Sequence, residues 1–155
     1  MEKFMITKTG YENLLLKIEA LNNQLKNINK MVAEGIEDRD FREDSNFSVA
    51  VAERTKVQKK INELDEVANN CRIPEIDKST ETINFGKSAK LMNVDSGEIR
   101  EFTVVGPYET DPKQGKISYL SPMGRAMLGI RSGEDFEVIT PAKEQYWEVL
   151  EIFIN

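Results

Sequence analysis

Residues 11–36, YENLLLKIEALNNQLKNINKMVAEGI, decide the first half of the fold. Apolar side chains recur in this stretch at alternating spacings of four and three residues, which is the a/d seam of a heptad repeat. The seam residues are Leu14, Ile18, Leu21, Leu25, Ile28 and Val32. The pattern predicts an amphipathic helix with Thr9 as its N-cap and Glu12 completing a capping box.

A second seam follows after a short polar stretch and predicts a second helix of similar length. Its members are Phe47, Ala50, Arg54, Val57, Ile61, Leu64 and Ala68. Pro74 is expected to end this helix, because its ring disfavours helical backbone at the preceding residue. Two adjacent seams predict an antiparallel hairpin, a finger roughly 40 Å long at 1.5 Å per residue. Arg54 is costly on a seam unless its head group reaches water or an acid, or the helices splay there.

From residue 76 onward the pattern changes to short β-type runs separated by turn signals. The predicted strands are 89–94, 100–105, 116–120, 136–139 and 146–154. One short helix interrupts them, with Ser121 as N-cap, Pro122 at the first helical position and Gly129 as C-terminal stop. We therefore predict an α+β chain of two domains. Residues 1–75 form the coiled-coil finger with an acidic tip at 34–47, and residues 76–155 form a small antiparallel sheet with one helix.

Composition excludes several classes of activity. The chain has 155 residues, a net charge of −6, no histidine and a single cysteine, Cys71. Without histidine there are no Ser-His triads and no His-ligated zinc, and with one cysteine there is no internal disulfide. The acidic balance disfavours direct binding to duplex DNA. No apolar run approaches the ~18 residues of a membrane span, and the N-terminus lacks the apolar stretch of a signal peptide. We expect a cytoplasmic protein with no membrane partner.

The predicted hairpin tip is strongly acidic. Residues 34–44 contain six carboxylates: Glu34, Glu37, Asp38, Asp40, Glu43 and Asp44. One interpretation is a solvated connecting loop. The other is a site for a hard cation: Asp40 and Glu43 are three residues apart, so both can face one side of a helix start. Since Mg²⁺ is commonly held by one or two carboxylates plus substrate phosphates, such a site would be completed by a partner.

Three stretches resemble a known family, and together they cover nearly the whole chain. The tip, Asp40-Phe-Arg-Glu-Asp-Ser-Asn-Phe47, resembles the tip motif of the GreA/GreB transcript cleavage factors. The opening, Ile6-Thr-Lys-Thr-Gly-Tyr-Glu-Asn-Leu14, resembles their N-terminal helix start. Ser121-Pro-Met-Gly-Arg-Ala-Met-Leu-Gly129, followed by Gly133-Glu-Asp135, resembles their C-terminal signature. The resemblance is closest to the GreA members and implies a C-terminal domain of FKBP-like fold.

The resemblance implies that the finger enters the secondary channel of a bacterial RNA polymerase and stimulates cleavage of RNA in backtracked complexes. Asp40 and Glu43 match the two family acids held responsible for activity. They would hold Mg²⁺ jointly with the polymerase active site, with Asp44 as an additional candidate ligand and no ion bound stably by the chain alone. The chain would be an accessory factor rather than an enzyme.

The resemblance also implies contacts with the polymerase and with the nascent RNA 3′ end inside it. The helix start at Ser121, Pro122 and Gly124 would dock at the channel rim. Arg54, Lys56 and Phe47 would contact RNA or polymerase, although Lys59 and Lys60 beside them are typical of a solvated helix face. We expect a monomer, because the seams can be satisfied within the hairpin.

The tip departs from the family pattern at four positions, and these departures leave a second hypothesis open. Arg39 replaces a glycine, Asp44 an asparagine, Asn46 an acid and Phe47 a tyrosine. Because groups around metal ligands affect affinity and rate, a regulator that binds the channel without cleaving fits the same sequence.

Two further alternatives come from other classes of protein. A prolyl isomerase is the alternative that the FKBP-like resemblance suggests, with an aromatic pocket formed by Trp147, Tyr146, Tyr119 and Phe102. The alternating positions of these residues favour ordinary sheet core instead. A plain coiled-coil adaptor leaves the acidic tip unexplained. Cys71 is interpreted as a structural thiol.

Overall fold

The computed structural model describes residues 3–37 and 45–155 and divides the chain into two compact units. The finger is Tyr11–Cys71. The C-terminal unit is Arg72–Asn155 together with the stretch up to Gly10. The sequence-based division assigns residues 1–75 to the finger. In the structure the finger ends at Cys71, and the stretch before Tyr11 packs and pairs with the C-terminal unit.

Two long helices form the finger, as the seams predict. α1 spans Lys8–Glu37 and α2 spans Ser45–Asn69. Both seams are confirmed, since eight of their members are buried: Leu14, Ile18, Ile28, Val32, Ala50, Val57, Ile61 and Leu64. Leu21, Leu25 and Phe47 are partly buried against the same cluster. Most of the finger's cohesion therefore comes from one apolar stripe per helix.

Both predicted helix ends are wrong by a few residues. The N-cap of α1 is Thr7 rather than Thr9: the Gly10 amide donates to Thr7 Oγ1 at 3.0 Å. α2 ends at Asn69, before Pro74 is reached. The Asn70 side-chain amide donates to the Glu66 carbonyl at 2.8 Å, and the chain then continues as a strand. Local hydrogen bonds to side chains thus set both ends.

The strands are β1 Phe4–Met5, β2 Cys71–Arg72, β3 Ser88–Asn93, β4 Ile99–Val105, β5 Lys116–Ser118, β6 Asp135–Ile139 and β7 Glu144–Phe153. The C-terminal unit is built on a five-stranded sheet in the order β5-β4-β3-β7-β6, and β1 and β2 form a separate two-stranded sheet. All five predicted runs are strands, and the α+β class is confirmed.

The sheet is mixed, so the prediction of a purely antiparallel sheet is wrong at one edge. β5 runs parallel to β4, with Thr103 opposite Lys116 and Val105 opposite Ser118. Two successive turns separate these strands. The first closes with the Glu109 amide on the Gly106 carbonyl, and the second surrounds a 3-10 helix, Pro112–Gln114. Because two reversals restore the original direction, the next strand is parallel.

One short helix, α3, spans Pro122–Met127 and covers one side of the sheet. The core between them consists of Ile83, Ala89, Leu91, Val104, Met127, Phe136, Val138, Trp147, Val149 and Ile152. Among the helices that the structure describes, none has the length and apolar character needed to cross a membrane.

The N-terminal stretch is an integral part of the C-terminal unit. Ile6 is only 2% exposed, and its amide donates to the Arg72 carbonyl at 3.0 Å. The Glu109 carboxylate accepts from the Thr7 amide at 2.7 Å and from the Gly106 amide at 2.9 Å, and the Thr7 hydroxyl also donates to it. A carboxylate at the first turn of α1 also complements the helix dipole.

Candidate functional site

The acidic pair lies outside the described residues. Asp40, Glu43 and Asp44, together with Arg39, fall in the stretch 38–44 between the two described ranges. Their predicted roles therefore stay predictions. Among residues 3–37 and 45–155, no group of three or more Asp, Glu or Cys side chains is arranged to hold a metal ion.

The helix ends that flank the acidic stretch pack against each other. A Cβ atom added to Gly35 would lie 2.5 Å from Cδ2 of Phe47, so the ring lies directly on the glycine. Phe47 is half-buried and packs against the finger's apolar cluster, which includes Val32 and Ala50. Phe47, predicted to contact RNA or polymerase, therefore has a packing role inside the hairpin.

Arg54 occupies a seam position of α2. Its side chain is half-buried, and none of the ion pairs within residues 3–37 and 45–155 involves it. It borders an open cavity of about 450 Å³ between the helices, which is also lined by Leu25, Asn29, Thr55, Gln58, Lys59 and Asn62. A guanidinium beside side-chain amides in a groove can bind an anionic ligand by donating hydrogen bonds to it.

The other basic residues of α2 lie in water. Lys56, Lys59 and Lys60 are exposed. Lys60 is 3.9 Å from Glu63, one turn along the same helix, which is a weak surface pair. The interpretation of Lys60 as part of a solvated face is thereby supported, while Arg54 is the most enclosed basic residue of α2.

We expect Arg54→Met to stabilise the middle of the finger, because a methionine fills the seam without a charge to solvate. The expected gain is about 1 kcal/mol, equivalent to roughly fivefold slower exchange of nearby α2 amides. Hydrogen exchange of the full chain measures this directly. Lys56→Met, on the exposed face, is the matched control and should leave the rates unchanged. Faster exchange in Arg54→Met would show that the arginine contributes net stability.

The predicted docking segment, at the start of α3, is held by a short chain of hydrogen bonds. The Ser121 hydroxyl donates to the Ser118 carbonyl at 2.6 Å and accepts from the Gly124 amide at 3.1 Å. Pro122 is exposed, Ser121 is half-buried and Gly124 is buried. The predicted N-cap and the Pro122 position are confirmed. Of the three predicted docking residues, Pro122 is the one that offers its side chain freely to a partner.

Gly124 has a steric role that the sequence did not reveal. An added Cβ atom would lie 2.0 Å from the Ser118 carbonyl oxygen. We expect Gly124→Ala to lower the free energy of unfolding by roughly 1–3 kcal/mol, the usual cost of overpacking. Chemical denaturation would measure the loss. Arg125→Ala, the exposed neighbour, should change stability by less than about 0.5 kcal/mol. Equal losses in the two variants would contradict the steric argument.

An open cleft of about 800 Å³ lies beside the start of α3. Its apolar lining comes from Phe102, Ile117, Met123, Val138 and Trp147, and Ser121 and Pro122 form part of its wall. The rim carries both signs of charge, from Asp95, Glu98, Arg100, Lys116, Lys143 and Glu144. The cleft joins the predicted docking segment to a larger concave surface. Of the four aromatic residues in the prolyl-isomerase alternative, Phe102 and Trp147 line this cleft, whereas Tyr119 and Tyr146 do not. Strand alternation identifies the lining side chains only once the register is known.

The aromatic residues are mostly core, as their alternation predicts. Trp147 is 4% exposed and meets Phe102 edge-to-face, and Tyr119 packs against the same core. Tyr146 is the exception, because it is exposed and its hydroxyl donates to Glu137 Oε1 at 3.2 Å. That hydrogen bond to a carboxylate raises the pKa of the Tyr146 phenol.

Comparison with known proteins finds similarity along nearly the whole chain. Residues 4–73 match the family "Transcription elongation factor, N-terminal", and residues 78–153 match "Transcription elongation factor, GreA/GreB, C-term". The transcription elongation factor GreA of Thermotoga neapolitana is 31% identical over 153 residues, which cover 98% of each protein. That of Syntrophobacter fumaroxidans is 31% identical over 157 residues, covering 98% of this chain and 99% of the relative.

The chain is also similar to a protein of solved structure. The GreA factor homolog 1 (Gfh1) of Thermus thermophilus is 31% identical, with 97% of this chain and 99% of that chain covered and a TM-score of 0.46. Two family matches that together span almost all residues, and full-length relatives above 30% identity, establish the relationship. This chain belongs to the GreA/GreB family of transcription elongation factors.

Proposed function

We propose that this protein binds RNA polymerase, inserts the tip of its finger into the secondary channel and stimulates Mg²⁺-dependent cleavage of RNA in backtracked complexes. Family membership supports a polymerase-associated elongation factor in general terms. The proposal adds the location, the reaction and the accessory role: the polymerase performs the hydrolysis, and this chain completes its active site. Since bacterial transcription takes place in the cytoplasm, the proposal places the protein there.

The observation that carries the proposal is the retained acid pair, Asp40 and Glu43, between two helices that stay packed up to Gly35 and Phe47. A paired hairpin can carry a small group of side chains to the end of a narrow channel without a wide body behind it. The seam residues of both helices are buried within the finger, which supports action as a monomer.

The donor set fits magnesium. Mg²⁺ takes oxygen ligands and is typically held by one or two carboxylates together with phosphate oxygens. When bound jointly with the polymerase, the ion would supply charge stabilisation at the phosphodiester undergoing hydrolysis. Asp40 and Glu43 would contribute oxygen ligands and orient the attacking water. Asp44 adds a further carboxylate beside them.

The C-terminal unit is the proposed docking element. Pro122 and the cleft of about 800 Å³ beside α3 offer an apolar surface with a rim of mixed charge, which suits a protein partner better than a phosphate backbone. In the finger, Arg54 and Lys56 are the proposed contacts to the RNA 3′ segment, with Arg54 in the groove and Lys56 exposed.

The test is a cleavage assay on a stalled, backtracked complex of a cognate polymerase with end-labelled RNA. The protein is added with Mg²⁺, and polymerase binding is measured in parallel by co-sedimentation. Shortened transcripts in proportion to bound protein support the proposal. Binding without any shortening rejects the cleavage role, and absence of binding rejects the proposal as a whole.

A second candidate is a regulator that occupies the channel without cleaving. The residues that favour it are Arg39, Asp44, Asn46 and Phe47, each of which departs from the family's tip pattern. Groups around metal ligands commonly change affinity or activity by ~10–100-fold. This candidate predicts tight binding, intact RNA and inhibition of initiation or elongation. A variant that combines Arg39→Gly, Asp44→Asn, Asn46→Glu and Phe47→Tyr would then be expected to produce cleavage, because it restores the family's tip pattern.

A further inference from the structure

Lys87 is a buried lysine at the entrance to β3. Its side chain is 1% exposed. Its Nζ donates to Asp77 Oδ1 at 2.6 Å and to the Ser79 carbonyl at 2.5 Å. Because a buried ammonium is costly unless it is paired and hydrogen-bonded, both contacts are needed to keep Lys87 in place.

Both partners lie on one segment, residues 76–81, which we name the strap. The strap follows Pro74, contains neither helix nor strand, and has exposed side chains throughout. Asp77 Oδ1 also accepts from the Ser79 amide at 3.0 Å, and Ser79 Oγ accepts from the Glu81 amide at 3.3 Å. These two bonds shape the strap internally but do not attach it to anything else.

Contacts with Gly86 and Lys87 attach the strap to the rest of the C-terminal unit. The Lys87 ammonium makes one, and Ile76 makes another, since its Cδ1 would lie 2.2 Å from a Cβ atom added to Gly86. Ile76 itself is 38% exposed and contributes only part of its apolar surface. The lysine is therefore the main attachment, because it reaches two strap residues at once from beneath.

We propose that Lys87 and Asp77 form a latch that holds the strap closed against the C-terminal unit. The strap is thereby a fixed part of the C-terminal unit rather than a free linker. An apolar side chain at position 87 would fill the same space but would leave the strap without its main anchor. The carboxylate of Asp77 is 68% exposed, so the latch has one end in the interior and its other end at the surface.

Limited trypsin digestion of the full-length protein tests the latch, because Lys78 lies within the strap. Cleavage of a native segment follows the population of its open form. We expect Lys87→Met to speed cleavage after Lys78 by about tenfold or more, measured by mass spectrometry of the fragments. Lys90 is a half-buried lysine on β3, so Lys90→Met is the matched control. Trypsin should cleave this variant after Lys78 at the wild-type rate. Wild-type protection in Lys87→Met would overturn the proposal.

Asp77→Asn separates the latch from a general packing effect. The asparagine keeps the shape but leaves the buried ammonium without its counter-charge, so both strap protection and the thermal midpoint should fall. Adding Lys87→Met to Asp77→Asn removes the orphaned charge. The double variant should recover the midpoint while the strap stays open to trypsin. A double variant that regains protection, or single variants whose effects simply add, would refute the pairing.

The titration of Asp77 gives an independent measure of the same contact. Its hydrogen bonds from the Lys87 ammonium and the Ser79 amide hold the pKa of the Asp77 carboxyl below its ordinary value of 3.8. The stabilising contribution is therefore complete above that ordinary value and is lost as the pH falls through the lowered pKa. Lys87 is the charged group that faces Asp77. NMR titration should show the Asp77 pKa rising toward its ordinary value in Lys87→Met, and an unchanged pKa would contradict the latch.

Discussion

Replacing Asp40 by asparagine and Glu43 by glutamine in one variant is expected to abolish stimulation of RNA cleavage while polymerase binding persists. The expected loss of rate is at least about 100-fold, because both carboxylate ligands proposed for the Mg²⁺ ion are removed. Amides of the same shape still offer oxygen atoms, but they lack the negative charge that magnesium favours.

The structure gives a reason to expect that the finger itself survives this change. Its cohesion comes from the buried seam and from Phe47 lying on Gly35, none of which involves the acid pair. Removing two like charges from an acidic stretch also lessens repulsion. Loss of activity in a variant with normal helix content would therefore report on the chemistry rather than on folding.

The measurement is the backtracked-complex assay with binding determined in parallel. Glu34→Gln is the matched control: it removes one exposed carboxylate from α1 near the tip and leaves the proposed pair intact. Its rate should stay within about twofold of wild type, since an exposed surface charge outside the proposed pair acts weakly in salt. If the double variant cleaved as fast as the wild type, the mechanism would be wrong. If the wild type fails to cleave as well, the channel-occupying regulator becomes the better account.

The seams could be predicted because the buried positions of a helical hairpin repeat at regular intervals along the sequence. Apolar residues recur at heptad spacing along α1 and α2, and this spacing alone predicts that Leu14 and Ile61 are buried. The start of α3 could also be predicted, because Ser121 caps the first turn and Pro122 suits the first helical position, where no backbone N–H is needed. Where an element is stabilised by residues close together in sequence, the sequence pattern is sufficient to predict it.

The features that were missed depend on distant partners. Thr7 rather than Thr9 caps α1, and it also bonds to Glu109, which lies 102 residues later. The reversal that makes β5 parallel needs the count of turns between Gly106 and Gly115. The sequence gives no sign that Lys87 is buried, because its hydrogen-bond partners, Asp77 and the Ser79 carbonyl, are known only from the structure. None of these contacts leaves a periodic signal in the chain.

The candidate site divides in the same way. The acid pair and the Ser121-Pro122 start came from motif resemblance, which names residues but not their surroundings. The cleft beside α3 requires the register that brings Val138 and Trp147 to the face that Phe102 occupies. Gly124 was assigned to docking because of its motif, whereas its burial against the Ser118 carbonyl shows a steric requirement as well.

Ile6→Ala is expected to destabilise the C-terminal unit by about 2–5 kcal/mol, the usual cost of emptying a buried isoleucine site. Ile6 is far from this unit in sequence and was assigned to the finger. In the structure it is 2% exposed, it lies between two residues that bond to Tyr119 and Glu109, and its own amide pairs with Arg72. The N-terminal stretch thus contributes core to a domain that begins 66 residues later along the chain.

Denaturant unfolding followed by Trp147 fluorescence measures this prediction, because the single tryptophan lies in the core of the C-terminal unit. Ile139→Ala is the matched control, with the same substitution in the same unit at a side chain that is 66% exposed. It should cost at most about 1 kcal/mol, from strand propensity and the modest burial of an edge residue. Equal effects of the two substitutions would show that the N-terminal stretch is not part of this core.

A fragment comparison carries the argument to the domain boundary. A fragment of residues 76–155 follows the sequence-based division and lacks Ile6, the β1–β2 pair and the Thr7 bonds to Glu109. It should unfold at lower denaturant than the same unit in the full chain, and by a margin at least as large as that of Ile6→Ala. If the fragment matched the full chain, the contacts of the N-terminal stretch would contribute no net stability. The boundary at residue 75 would then be the thermodynamic one after all.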